Sequence, residues 1–190
     1  TILTPSNSTN SFLLNSTTTG SVVALVGNSR YTSGLEYTIS VFAKPGNSNF
    51  ISLTGGNAGF GSSQFAVFNI QNGTISSQTG GTASISACAN GFYRCSFSVI
   101  ATSSSASNGA VVITPSFSGA NRIQSTQDLN VNIWGAQFEE GSEASSYIPT
   151  VASATTRNQD VITVAPPTGT VKITTTFSEN TTQVLTTIPA

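Results

Sequence analysis

The chain spreads six basic and seven acidic side chains over 190 residues, carries a net charge of −1 and contains no histidine. This removes the usual general base, the commonest metal ligand and any histidine-based triad, and leaves no electrostatic footprint for nucleic acid or an anionic membrane. Only 7% of residues are charged while 37% are hydrophobic, against about 25% charged in an average protein; the polar surface must be Ser, Thr, Asn, Gln and Gly, as suits an extracellular or particle-bound β protein shielded by its neighbours.

A chain of this length predicts one main domain with room for a proper core. Met is missing even at position 1, which points to a processed chain or an excised piece. No apolar run approaches about 18 residues, so no membrane insertion is expected. Two Cys cannot build a structural zinc site alone.

Residues 1–20 are dominated by Ser, Thr and Asn, with Phe12-Leu13-Leu14 as their one apolar patch; they read as a lead-in and a short strand. Residues 21–26 form an apolar, β-branched run, a buried strand, and 27–30 a turn cluster. Residues 37–44 alternate cleanly. Tyr37, Ile39, Val41 and Ala43 face the core, and Thr38, Ser40, Phe42 and Lys44 face outward. Pro45-Gly46 ends that strand and residues 50–54 form the next. The glycine-rich loop over 55–63 lacks the lysine and spacing of a phosphate-binding loop. Residues 64–70 are a strand, and Asn72-Gly73 signals a hairpin into 74–76.

Two further strands, 83–88 and 92–100, flank Asn90-Gly91. With those two residues as the turn centre, Cys88 opposes Tyr93 and Cys95 lies diagonal to Cys88, about 7 Å away at the Cβ atoms, too far for a disulfide. Two free thiols are expected, with a bridge as the alternative if a third residue enters the loop. Phe92 and Arg94 point outward. Residues 101–108 form a Ser-rich loop, 110–117 a strand, and 129–138 the last strand of the main unit. Its apolar residues switch from odd positions (Leu129, Val131, Ile133) to even ones (Trp134, Ala136, Phe138), which predicts a β-bulge near Gly135. Residues 134–150 read as this closing strand, a Gly-Ser turn and a buried plug ended by Tyr147-Ile148-Pro149. A polar connector (151–160) leads to three short strands at 161–164, 171–177 and 183–188. No segment keeps helical periodicity over ten residues; the pattern predicts an all-β, antiparallel two-sheet β-sandwich.

No catalytic constellation emerges. Glu139 and Glu140 are adjacent and face opposite sides of a strand, serine nucleophiles lack a base, and no calcium-loop spacing of carboxylates occurs. No enzyme activity, metal or cofactor is expected. Arg94 and Arg157 are expected to pair with Glu139, Glu140 or Asp160. One binding recipe is present: Phe42, Lys44, Phe92, Arg94, Asn130, Asn132 and Trp134 point outward, and aromatics beside Asn and Arg suit stacking on a sugar and bonding to its hydroxyls. The competing reading is that the last strands or another subunit cover this face. Four glycosylation sequons, at Asn7, Asn15, Asn72 and Asn180, are expected by chance in a chain so rich in Asn, Ser and Thr.

Four stretches together resemble one family: residues 37–44, Asn90-Gly91-Phe92-Tyr93-Arg94-Cys95, Trp134 through Thr150, and Thr156-Arg157-Asn158-Gln159-Asp160. In order and wording they are similar to the jelly-roll, concanavalin-like or carbohydrate-binding-module-like domains of bacteriophage tail fibres, tailspikes and other virion appendages. The resemblance spans residues 20–162. It departs from the family at Phe92, where a Trp is usual, and in a shorter N-terminal part. It implies a jelly roll over 1–162, with 163–190 as C-terminal strands or a hairpin packed on it or linking to a neighbour. It also implies a virion structural protein on the particle surface, partnered by other virion proteins, homo-oligomeric with a trimer favoured, and a frequent host-surface glycan ligand. The motif residues are implied to keep the fold rather than touch the ligand. The alternative is a glycan-binding module of a secreted bacterial protein.

Overall fold

The structure is a computed structural model that describes residues 2–16, 24–25, 29–61, 64–109, 111–114, 128–150, 173–176 and 182–185. Contacts divide the chain into two units, Thr1–Ser153 and Ala154–Ala190; the boundary suggested by the resemblance lies later, after residue 162. The first unit contains β1 (Phe12–Ser16), β2 (Ala24–Leu25), β3 (Ser29–Tyr31), β4 (Glu36–Pro45), β5 (Phe50–Gly55), the one-turn helix α1 (Asn57–Phe60), β6 (Phe65–Asn69), β7 (Thr74–Thr79), β8 (Thr82–Ala87), β9 (Tyr93–Ile100), β10 (Ser105–Gly109), β11 (Val111–Thr114) and β12 (Leu129–Glu140). In the second unit β13 (Ile173–Thr176) and β14 (Thr182–Leu185) form an antiparallel hairpin. The predicted strand at 161–164, Arg157, Asp160 and the Asn180 sequon lie outside the described residues.

The strands of the first unit form two five-stranded antiparallel sheets, a front sheet ordered β1-β12-β4-β9-β8 and a back sheet ordered β2-β11-β5-β6-β7, with β3 and β10 as a separate pair. The pairings nest: β1 with β12, β2 with β11, β3 with β10. The two ends of the unit thus run together as one long antiparallel ribbon wound into a sandwich, the jelly-roll arrangement.

The core lies between the sheets. Tyr37, Ile39, Val41 and Ala43 of β4 stand beside Cys95, Phe97 and Val99 of β9 and Val131 and Ile133 of β12; Ile51, Leu53, Ala66, Phe68 and Ile113 meet them from the back sheet. The period-two reading of β4 therefore holds. Each fully buried Phe or Ile here contributes roughly 1.5–3 kcal/mol of transfer free energy. Phe60, brought in by α1, closes one end against Tyr31 and Tyr37. That helical turn falls inside the predicted glycine-rich loop, where local composition carries no helical pattern.

The bulge in β12 is where the parity switch placed it. Trp134 pairs with Phe42 but Gln137 pairs with Ser40, so one extra residue is accommodated between them, and Gly135 takes φ +58°. Phe138 thereby returns to the core.

The register of β8 on β9 differs from expectation. Ala87 pairs with Tyr93 and Ile85 with Cys95, because the loop is the three-residue turn Ala89–Gly91 rather than Asn90-Gly91 alone. Asn90 adopts φ 59°, ψ 25°, and Gly91 also has positive φ. The third residue moves Cys88 off the row of Cys95 instead of toward it: strand alternation puts Cys95 on the core face and Cys88 on the other. Both thiols are free. The Asn72-Gly73 hairpin is present, but as a four-residue connection in which Gly73 N–H donates to Asn69 O at 2.9 Å, and the Asn69 side chain accepts from Gln71 and Asn72 N–H.

Candidate functional site: the outer face of the front sheet

Because β12, β4 and β9 are neighbours, register alone collects most of the predicted outward set. Trp134, Phe42 and Arg94 lie in one row across the three strands, and Asn132 pairs with Lys44 in another. The residues form a continuous series: the Arg94 guanidinium carbon sits 5.2 Å from the Phe42 ring centre, Phe42 and Trp134 are 5.0 Å apart at 52°, and Trp134 and Tyr147 are 4.7 Å apart at 56°.

Two members of the set are placed differently. Phe92, just before β9, is 1% exposed. The Lys44 ammonium lies 6.0 Å from its ring centre and donates to Asn90 O at 2.9 Å. Asn130 shares the parity of Asn132 and Trp134 but is clasped to the β4–β5 turn: its Oδ1 accepts from Asn47 N–H at 3.0 Å and its own N–H donates to Asn47 Oδ1 at 2.6 Å. Asn132 is itself 8% exposed and donates to Pro45 O at 3.4 Å.

What lies over this face is the chain's own continuation. After β12 the backbone reverses at Gly141 and residues 141–148 run back across the sheet as a strap. Tyr147 contributes its ring to the aromatic series, but the predicted plug is not buried: Tyr147 and Ile148 are half-buried and Pro149 is exposed. Gly135 makes room for it: a Cβ there would lie 3.0 Å from the Phe42 ring and 3.2 Å from Tyr147. The outward hydroxyls of the sheet are buried beneath the strap and satisfied by it. Thr38 Oγ1 donates to Gly141 O and Ser98 Oγ to Ser142 O, each at 2.7 Å. Ser40 Oγ meets the Arg94 guanidinium at 3.3 Å.

The tightest hold is at Ser145. Arg94 donates to its carbonyl. Glu139 accepts from its N–H at 2.9 Å and its hydroxyl at 2.5 Å, and Gln137 Nε2 donates to Glu139 at 2.7 Å. Gln137 Oε1 accepts from Ile148 N–H at 3.0 Å. Arg94 was expected to pair with Glu139, Glu140 or Asp160, the last of which lies outside the described residues. Among the described residues no such pair joins it to Glu139 or Glu140; cation and anion instead grip one strap residue from two sides. Burial pulls the Arg94 guanidinium below its ordinary pKa, and the nearby Glu139 carboxylate works in the opposite direction. Arg94 Nε is buried without a hydrogen-bond partner.

A second latch fastens the lead-in. Residues 4–8 form a tight turn, Thr4 N–H to Ser8 O at 2.8 Å, and Asn90 Nδ2 donates to Thr4 O at 2.8 Å and Asn7 Oδ1 at 3.0 Å.

Apart from this face, an open groove of about 550 Å³ lies where the end of β12 meets β3 and the start of β10. Tyr31, Tyr37 and Phe138 line it with Arg30, Ser104 and Glu140. Sequence reasoning did not find it; Arg30 was read only as part of a turn. Among the described residues no group of three or more His, Cys, Asp or Glu side chains is placed to hold a metal ion.

The sequence matches no protein-family model, and no curated protein matches it.

Proposed function

We propose that this chain is a structural module of a bacteriophage particle, a tail-fibre, tailspike or head or tail decoration domain, that assembles as a homo-oligomer with other virion proteins and contributes to host-surface glycan recognition. The observation that carries the reading is how the Trp134–Thr150 stretch is used. It is the most specific part of the resemblance, and its Glu139 and Gln137 side chains go into fastening a strap over the sandwich. A latched jelly roll with so few charges suits a repeated building block, in which near-zero net charge is tolerated because neighbours cover the surface. Mass spectrometry of purified particles from the source culture tests the assignment: peptides of this chain co-purifying with capsid proteins support it, and their absence from particles alongside presence in the secreted fraction refutes it. Light scattering of the full chain tests assembly, a trimer being expected.

The secreted glycan-binding module is the second reading. It is favoured by the row of Trp134, Phe42 and Arg94 beside Lys44 and Asn132 on one face. Tight, selective binding by the monomeric chain on a glycan array, combined with absence from particles, moves the assignment there.

A further inference from the structure

We propose that the groove at the end of the sandwich, rather than the strapped sheet face, is the saccharide-binding cleft, and that it takes neutral sugar units. This rests on the glycan-recognition part of the proposed function and gives it a location. Charge is scarce in this chain, with thirteen charged side chains in 190 residues, yet Arg30, Glu139 and Glu140 all line this one groove. Arg30 and Glu140 are exposed, so their donors and acceptors face solvent.

The remaining walls match a sugar. Phe138 is half-buried and stacked on Tyr37, 5.2 Å apart at 10°, which offers a rigid apolar patch to the C–H face of a pyranose. The guanidinium of Arg30 donates to ring hydroxyls and the Glu140 carboxylate accepts from them, the charge-assisted bonds that orient a polyol. The volume, about 550 Å³, lies within the roughly 300–1,000 Å³ of small-ligand sites. The Glu139 carboxylate is engaged at Ser145 on the strap side, so Arg30 and Glu140 balance one another at the rim and no net charge favours acidic sugars or phosphates. The sheet face, by contrast, has Tyr147 against the indole of Trp134, in the place a sugar ring would stack.

The test is a glycan array with the full chain, carrying neutral and acidic saccharides, followed by affinity measurement on Arg30→Ala, Glu140→Gln and Lys44→Ala variants. Both groove residues are exposed, and circular dichroism checks that the variants fold. Binding of neutral glycans, weakened about tenfold or more by either groove substitution as one charge-assisted hydrogen bond is lost, supports the assignment. It is overturned by binding of acidic glycans alone, or by no binding at all. Unchanged affinity in the groove variants with loss in Lys44→Ala also overturns it, by returning the ligand to the sheet face. The particle assignment stands or falls separately, on the mass spectrometry described above.

Discussion

Replacing Glu139 by Ala removes the acceptor for three hydrogen bonds at once: Ser145 N–H at 2.9 Å, the Ser145 hydroxyl at 2.5 Å and Gln137 Nε2 at 2.7 Å. Hydrogen bonds to a charged group contribute roughly 1.5–3 kcal/mol when buried, but this carboxylate is half-exposed, and solvent screening reduces each to about 1 kcal/mol. The expected loss is about 3 kcal/mol, or roughly 6–12 °C in Tm for a unit of this size. Trp134, the only Trp in the chain, is itself in contact with the strap through Tyr147, so its fluorescence reports on the strap directly. In urea titrations followed by both fluorescence and circular dichroism, Glu139→Ala is expected to lower the midpoint by either probe. Its native emission is expected to shift to the red as Tyr147 leaves the indole. A loss below about 0.5 kcal/mol with unchanged emission would show that the carboxylate does not hold the strap, since that is the scale of an ordinary surface substitution.

Gly135→Ala places a Cβ in the left-handed region, at about 1–2 kcal/mol, and 3.0 Å from the Phe42 ring, at about 1–3 kcal/mol of overpacking; a loss of about 2–5 kcal/mol by urea denaturation is expected, while Gly34→Ala, with nothing within 4 Å of the new carbon, loses only the backbone part. Thiol labelling at pH 8 is expected to modify Cys88, which is half-buried, and to spare Cys95, which is fully buried with its pKa raised by burial; both react in denaturant, and equal native rates would contradict the placement of Cys95 in the core. The same raised pKa has a sign that can be measured. The folded chain holds the Cys95 proton more tightly than the unfolded chain, so this contribution is whole below the ordinary thiol value of 9.0 and is lost as pH rises beyond it. Cys95→Ala is therefore expected to flatten the fall in stability between pH 8 and 10, and an unaltered slope would count against it.

The sequence-level reading succeeded where the signal is local. Alternation in β4 sorts Tyr37, Ile39, Val41 and Ala43 from their neighbours because a pleated strand sends successive side chains to opposite faces whatever lies beyond it. The bulge at Gly135 was legible for the same reason, since a break in alternation is itself a local event. The outward row of Phe42, Arg94 and Trp134 followed from parity, once the strands proved adjacent. The β8–β9 register escaped because an Asn-Gly pair fits both a two-residue and a three-residue loop; the observed turn puts Asn90 in the left-handed region, with its side chain held by Thr4 and Asn7 from the far end of the chain.

The jelly-roll winding, the strap and the groove belong to tertiary structure. Parity says which side chains leave the core but not what they then meet, and the partners here are distant: Arg94 reaches Ser145, Thr38 reaches Gly141, and the groove draws its walls from β3, the β10 approach and the end of β12. Local preferences act over a few residues, whereas closing such separations depends on burying enough apolar surface between two whole sheets to offset the chain entropy lost. The composition of Thr, Ser and Asn made a β-sandwich with a polar, uncharged skin readable in advance; which of those hydroxyls would end up buried and bonded to a strap was decided only when the sheets came together.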